Sequence, residues 1–313
     1  MIRAPSGAVI GLPGGFRAVK INVLGATGGL GSRVVDALLD RGVSPEDLIA
    51  CSRSPDKIRR YEHLGIDIRQ ADYDVPGTLA GALEGTDVLM LIPSATDVEP
   101  RIVQHSNILD AARSEGVKRV VLTSSSAART DSEFLIAPYL VYAESRLRTS
   151  GLGWTILRNG IYLDPLVEWA PALAAMGRLP YPVRSGRVAY VSRDDLARAC
   201  AAACAQDRHA DHVYELTGLR ALSMPDVASA LTYATGKTIV FDEVTEEQFA
   251  EICRADHVPE PDIAILTSLY RAADHGEFEH VSDDIRLLTG SPPTAARDYL
   301  RESLRTYRAS GRK

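Results

Sequence analysis

Three glycines near the start of the 313-residue chain stand at a spacing that suits phosphate binding. They belong to the run Gly25-Ala26-Thr27-Gly28-Gly29-Leu30-Gly31, which follows a short apolar strand and precedes a helical pattern. The first glycine permits the tight turn, the second leaves room for a diphosphate, and the third lets the helix pack on the strand. The free N–H groups and positive dipole end of that helix would face the phosphates. In this context the spacing predicts a dinucleotide-binding turn rather than a merely structural one.

The segment after the second predicted strand indicates which dinucleotide is bound. An acidic residue at its start would hydrogen-bond the ribose 2′-hydroxyl of NAD. This chain has Arg53 there, with Ser52 and Ser54 beside it and Lys57 four residues on. A guanidinium can hold a 2′-phosphate through two hydrogen bonds, and a second cation adds to that preference. The sequence therefore predicts NADP(H); the alternative is that Arg53 is an ordinary exposed loop charge.

The elements that must position these residues alternate along the first half of the chain. Strands are predicted over residues 19–24, 48–51, 66–69, 88–92, 120–123 and 154–158, and helices over residues 32–41, 57–64, 78–83, 102–115 and 139–150. Strands that alternate with helices in this way are typical of an α/β fold with a Rossmann-like, doubly wound and mostly parallel sheet.

The rhythm changes after Gly160, where four prolines at positions 165, 171, 180 and 182 predict a loop-rich region over the carboxyl edge of the sheet. A helix over residues 194–205 and a strand over residues 213–216 are expected to rejoin the main sheet. Further helices are predicted near residues 224–235, 246–254, 263–273 and 294–306. We therefore expect an N-terminal extension (1–18), an NADP-binding domain (19–160) and a mostly C-terminal substrate-binding lid (161–313), with residues 187–218 returning to the sheet.

Several stretches resemble the short-chain dehydrogenase/reductase superfamily, and more closely its atypical NmrA-like branch, which includes quinone oxidoreductase type 2 and triphenylmethane reductase. The matching segments are residues 25–31, 53–57, 71–73, 123–125, 144–147, 150–162 and 214–218, of which 155–162 is the most specific. The resemblance implies an NAD(P)H-dependent reductase. It also implies a set of cofactor contacts: Gly25, Thr27, Gly28, Gly29, Leu30, Gly31, Arg53, Lys57, Asp72, Ser94, Ser124 and Asn159.

A proton-relay pair common in that superfamily is missing. Most of its enzymes use Tyr-x-x-x-Lys, in which the tyrosine transfers a proton and the lysine lowers its pKa. The lysines of this chain are Lys20, Lys57, Lys118, Lys237 and Lys313. The helix after the fifth strand therefore has none, and alignment on Glu144 places Ile136 and Leu140 at the two positions. The literal match that ends at Lys237 runs through a helix-ending glycine, and we take it as chance.

Other side chains are candidates for the chemistry. Tyr142 and Arg146 lie one helical turn apart, so they could form a substitute for the missing pair. The alternative is that both side chains pack on the helix surface in the ordinary way. Asn159, at the end of the sixth strand, would reach the carboxyl edge and hold the nicotinamide or a substrate carbonyl. Tyr162 could stack on a planar substrate. Ser124 could hydrogen-bond near the nicotinamide ring, or it could serve a turn.

These features favour an NADPH-dependent oxidoreductase that transfers hydride to a quinone-like or other conjugated acceptor without a Tyr–Lys pair. The delocalised oxyanion of a reduced quinone can take its proton from water. The alternative is a regulatory protein of the NmrA type, which senses NADP(H) without turnover. A nucleotide-sugar epimerase or dehydratase fits worst, because the lysine is missing.

Composition limits the partners. A net charge of −6 argues against a nucleic-acid binder, and no apolar stretch approaches the length of a membrane span. The four cysteines have no zinc spacing, so buried thiols are expected and no metal site. We expect a cytoplasmic protein with a small-molecule substrate; formation of a homodimer stays open.

Overall fold

The computed structural model describes residues 19–309, and these residues contain eleven strands. The predicted N-terminal extension lies outside them. The strands are β1 (Ile21–Leu24), β2 (Leu48–Ser52), β3 (Asp67–Gln70), β4 (Val88–Leu91), β5 (Arg119–Ser125), β6 (Gly153–Asn159), β7 (Arg178–Tyr181), β8 (Arg187–Val188), β9 (His212–Leu216), β10 (Leu222–Ser223) and β11 (Val240–Glu243). Seven of them form one parallel sheet in the order β3-β2-β1-β4-β5-β6-β9.

Helices cover both faces of this sheet and build the C-terminal region. They are α1 (Gly31–Asp40), α2 (Leu79–Leu83), α3 (Val98–Ser114), α4 (Ala137–Arg148), α5 (Asp164–Met176), α6 (Arg193–Ala205), α7 (Met224–Thr235), α8 (Glu246–Ala255), α9 (Glu260–Asp274), α10 (Asp284–Thr289) and α11 (Ala296–Ala309). A 3-10 helix over Pro55–Leu64 takes the place of the helix predicted after β2.

Side chains of the central strands alternate between two hydrophobic layers, as the period of two in a strand requires. In β1, Ile21 and Val23 pack with α1 and α6, whereas Leu24 packs in the layer that contains α2, α3 and α4. Burial on both faces explains why β4 consists of apolar residues throughout. The fold class, a Rossmann-like and doubly wound sheet, is confirmed.

The expectation of irregular structure between Gly160 and Arg184 is wrong in part, because α5 is a regular helix. Pro165 occupies its first turn, where a missing N–H is harmless. Pro171 lies inside the helix, where proline costs about 3 kcal/mol relative to alanine. The buried face of α5, with Leu166 and Leu173, outweighs this penalty through tertiary contacts that no local pattern reports.

The C-terminal part adds two small sheets beside the main one. Strand β7 pairs in parallel with β11, and β8 pairs antiparallel with β10. Helix α10 was not predicted; it packs on α6 and β9 of the main sheet. All four cysteines are buried and unpaired. Within residues 19–309 no helix is long and apolar enough to cross a membrane, and no group of three potential ligands could hold a metal ion.

Candidate functional site

A cleft of about 600 Å³ lies at the carboxyl ends of β1, β4, β5 and β6, where a doubly wound sheet binds its ligands. Eight of the predicted site residues line it: Gly28, Gly29, Leu30, Gly31, Ser94, Ser124, Asn159 and Tyr162. The facing wall is aromatic and aliphatic, with Phe134, Trp169, Tyr190, Leu266, Leu269 and Tyr270. The cleft therefore joins the glycine turn to an apolar chamber built from the C-terminal region.

The glycine turn has the geometry of a phosphate cradle. Gly25 adopts φ +80°, a left-handed conformation, and its carbonyl accepts a hydrogen bond from the Gly28 N–H at 2.9 Å. A Cβ on Gly31 would lie only 2.2 Å from the same carbonyl oxygen. Leu30 occupies the N-cap of α1 and has no polar side chain to cap it. The first turn of α1 is thus open to an anion.

The residues expected to select the cofactor lie beside this turn, outside the set that lines the cleft. Arg53 and Lys57 are exposed, and neither side chain makes an ion pair or hydrogen bond within the described part of the chain; the Lys57 N–H donates to the Ser54 carbonyl at 3.1 Å. Ser52 is buried; its hydroxyl donates to Thr27 Oγ1 at 3.3 Å and accepts from the Ser54 N–H at 3.0 Å. Asp72 holds a turn through its carboxylate, which accepts from the Asp74 N–H at 3.0 Å.

Asn159 and Tyr162 form a pair on the floor of the cleft. The Asn159 amide Nδ2 donates to the Tyr162 hydroxyl at 3.1 Å, while its Oδ1 is buried with no hydrogen-bond partner. Burial raises the pKa of Tyr162 above its ordinary value, so its phenol stays protonated near neutrality. An unpaired buried amide oxygen costs free energy, which a ligand donor would recover.

Ser124 is committed to a buried ionic cluster. Its hydroxyl donates to Glu144 Oε1 at 2.7 Å, and both Glu144 oxygens accept from Arg158 at 2.8 Å. The hydrogen bonds that Arg158 donates to Glu144 raise the pKa of Arg158 above its usual range. Ser124 can therefore only accept a hydrogen bond from a ligand. Glu144 has no role in the sequence-based expectations, and its hydrogen bond with Ser124 shows that it orients that hydroxyl.

The candidate substitute pair lies away from the cleft. The Tyr142 hydroxyl lies 2.9 Å from Ser106 Oγ, and Arg146 pairs with Asp110 at 2.8 Å, so both side chains face α3. Neither lines the cleft, so the structure does not bring Tyr142 together with Asn159 and Tyr162, and its catalytic role stays a prediction. Ile136 and Leu140, which occupy the expected relay positions, do line the cleft, and neither can move a proton.

Arg193 is a residue of the cleft that the sequence did not reveal. Its side chain lies 3.5 Å from the position of a Cβ on Gly29, and its guanidinium lies 5.1 Å from the centre of the Tyr162 ring. It also stands 3.6 Å from Asp164 and 3.9 Å from Glu168. Arg193 is the first residue of α6, and a cation in the first turn of a helix is electrostatically unfavourable. This unfavourable position is the sequence feature that could have indicated a functional role.

The residues present fit a dinucleotide. The turn holds glycine where a side chain would fill the cradle, the first turn of α1 is uncapped, and Asn159 Oδ1 lacks a donor. Gly28–Gly31 would hold the diphosphate. Asn159 and Tyr162 line the part of the cleft that joins the glycine turn to the apolar chamber, where they would face the nicotinamide end.

Comparisons with known proteins agree with this geometry. The model of a family described as NAD(P)H-binding matches residues 25–207. Quinone oxidoreductase 2 of Escherichia coli is 33% identical over 88% of this chain and 95% of its own length. An NmrA-like family domain-containing oxidoreductase of Aspergillus flavus is 30% identical over 90% of this chain and 94% of its own.

A solved structure, the Citrobacter triphenylmethane reductase complexed with NADP(H), superposes with a TM-score of 0.86. It is 32% identical and the match covers 91% of this chain and 100% of that one. The expected resemblance and the expectation of an NAD(P)H-dependent reductase are confirmed at this level. The chain belongs to the NAD(P)H-binding family and, within it, to the NmrA-like oxidoreductases.

Proposed function

We propose that this protein is an NADPH-dependent reductase that transfers hydride to a quinone-like or other conjugated acceptor. The observation that carries the proposal is the cleft, in which the glycine turn opens into an apolar aromatic chamber. A planar acceptor can lie there against Trp169 and Tyr270, with a few polar groups at one end. The relatives named as oxidoreductases support an enzyme.

The chemistry suits a site without a proton relay. Bound NADPH supplies the hydride. The chain's own residues would position both reactants: Asn159 Oδ1, which has no donor, would accept a hydrogen bond from the nicotinamide carboxamide, and the Tyr162 ring would lie against the planar acceptor. A quinone that gains hydride becomes a delocalised oxyanion and takes its proton from water to give the hydroquinone. Ile136 and Leu140 keep the chamber apolar without hindering that step.

Preference for NADPH over NADH is part of the proposal. Arg53 and Lys57 have no competing ion pair within residues 19–309, so both cations are available to a 2′-phosphate. The proposal also includes a cytoplasmic location, which the four buried, unpaired thiols support. It includes a small-molecule substrate as well, which the chamber supports. A homodimer stays a prediction.

The competing candidate is a sensor that binds NADP(H) without turnover. It uses the same glycine turn and equally needs no proton relay. The sensor hypothesis gives no role to the apolar wall of the cleft, which includes Phe134 and Tyr270. For this reason we favour the enzyme.

One experiment separates the two. NADPH binding is measured by fluorescence titration, and NADPH oxidation is followed by absorbance with a panel of quinones and dyes in the same preparation. The reductase proposal expects binding together with oxidation that saturates with acceptor concentration. Tight binding without oxidation across the panel would establish the sensor instead.

A further inference from the structure

Arg101 places an unbalanced cation in the wall of the cleft. It lies in the first turns of α3, is half-buried and lines the chamber near Ser94. Its guanidinium carbon lies 5.1 Å from the centre of the Tyr139 ring, and one Nη–H donates to the Thr96 carbonyl. Its Nε is buried with no hydrogen-bond partner. The guanidinium is therefore partly desolvated without a full set of hydrogen-bond acceptors.

The charges around the cleft leave Arg101 without a counterion. Arg193, the other arginine of the wall, has Asp164 and Glu168 within 4 Å. Arg101 has no carboxylate at ion-pair distance within residues 19–309; Asp97 acts on it only from further away. Burial lowers its pKa from the ordinary value. Desolvating a cation without a partner is costly, and an anionic ligand would offset that cost.

The surroundings specify what kind of anion fits. The chamber that Arg101 lines is mostly apolar and aromatic, with Phe134, Ile136 and Leu140 in its wall. The acidic residue of its lining, Asp262, is exposed and makes no ion pair with Arg101 within residues 19–309. An inorganic anion would neutralise the guanidinium but would leave the apolar wall exposed to water. A planar conjugated molecule with one ionised substituent would satisfy both, because its ring covers the wall and its oxygens accept from the guanidinium.

We propose that Arg101 recognises an anionic substituent, a carboxylate or sulfonate, on the conjugated acceptor. The proposal rests on the proposed function and narrows its substrate class to acidic acceptors. Arg101 acts as a specificity-determining residue: it binds the substituent in the ground state, so its contribution falls on KM rather than on kcat.

Kinetics with a matched pair of acceptors test it. A naphthoquinone carboxylate and its carboxamide differ in charge at nearly equal size. We expect Arg101→Gln to raise KM for the carboxylate about tenfold or more, in the range of a charged hydrogen bond, and to leave KM for the carboxamide within about twofold. Arg113→Gln, an exposed position on the same helix, is the matched control and leaves both values unchanged. Equal changes for both acceptors would overturn the proposal and indicate a structural role.

Binding of a molecule that cannot be reduced gives a second readout. Naphthoate and naphthamide are titrated against the NADPH-loaded wild-type protein and Arg101→Gln. We expect wild type to bind naphthoate more tightly and the variant to lose that difference. Equal affinity of wild type for both ligands would overturn the proposal without any variant. If neither acceptor is reduced but naphthoate binding depends on Arg101, the reductase assignment fails while the anion site stands.

Discussion

Arg53 is the residue on which we expect the choice between NADPH and NADH to depend. It is exposed directly after β2 and has no partner within the described residues. We expect Arg53→Ala to weaken NADPH binding roughly tenfold to a hundredfold, because one charge-assisted contact contributes about 1.5–3 kcal/mol. NADH affinity stays the same. Arg59→Ala is the matched control, since Arg59 is a nearby exposed arginine paired with Asp56. An unchanged affinity ratio in titrations would exclude Arg53 as the selecting residue.

A substitution of Tyr162 can show whether this side chain stacks on the acceptor or acts as a general acid. Its ring lies in the cleft and its hydroxyl accepts from Asn159. We expect Tyr162→Phe to keep kcat within about fivefold and to leave the pH–rate profile unchanged, because the ring is retained and water supplies the proton. A general acid typically contributes roughly a hundredfold to ten-thousandfold. A loss of that size would show that the phenol donates the proton after all.

At the scale of an element, the turn between β1 and α1 depends on Gly31. A Cβ there would lie 2.2 Å from the Gly25 carbonyl oxygen and 2.8 Å from its carbon. We expect Gly31→Ala to lower the free energy of unfolding by roughly 1–3 kcal/mol and to weaken NADPH binding. Gly81→Ala is the control: it lies inside α2, its Cβ would meet nothing within 4 Å, and it should stabilise by about 0.5–1 kcal/mol. Urea denaturation measures both, and equal effects would contradict the close approach.

The contact between α3 and α4 gives the fold an acid-sensitive histidine. His105 is 2% exposed, and burial, assisted by Arg146, lowers its pKa to about 4. Neutral His105 is favoured in the folded state, so its contribution is complete above about pH 6.5 and declines as pH falls toward 4. Protonation of His105 would therefore lower the free energy of unfolding by about 3 kcal/mol in total, at a slope of about 1.4 kcal/mol per pH unit.

We expect His105→Gln to flatten this acid limb in urea denaturation series between pH 6.5 and 4. His63→Gln, a substitution of an exposed histidine, is the control. An unchanged slope in His105→Gln would assign the acid sensitivity to other groups.

At the scale of the whole molecule, we expect different parts of the chain to hold the cofactor and the acceptor. Leu266 on α9 lines the cleft from the C-terminal side, whereas the glycine turn belongs to the sheet. We expect Leu266→Gln to raise KM for a neutral quinone roughly tenfold, since a lost Leu contact contributes about 1.5–3 kcal/mol, and to leave NADPH affinity unchanged. Ala264→Gln, exposed on the same helix, is the control. A parallel loss of NADPH affinity would mean that α9 also supports the cofactor turn.

Short-range patterns were enough to predict the strand–glycine–helix unit, the alternation that builds the sheet, and the absence of a lysine near Ile136 and Leu140. Glycine conformations and the two-residue period of strands depend on a few neighbouring residues, and a local stretch reports them directly. The same holds for Arg53, whose place at the end of β2 follows from the strand.

Long-range packing had to place the remaining parts of the site. The regular helix α5 formed despite Pro171, and Tyr142 turned toward Ser106 on α3 rather than toward the cleft. Arg193 meets Gly29 across more than 160 positions of chain, and Arg101 comes to share a chamber with Leu266. Which face of a helix meets a cleft depends on how several helices pack together. That information is spread over the whole chain, so no local spacing could report it.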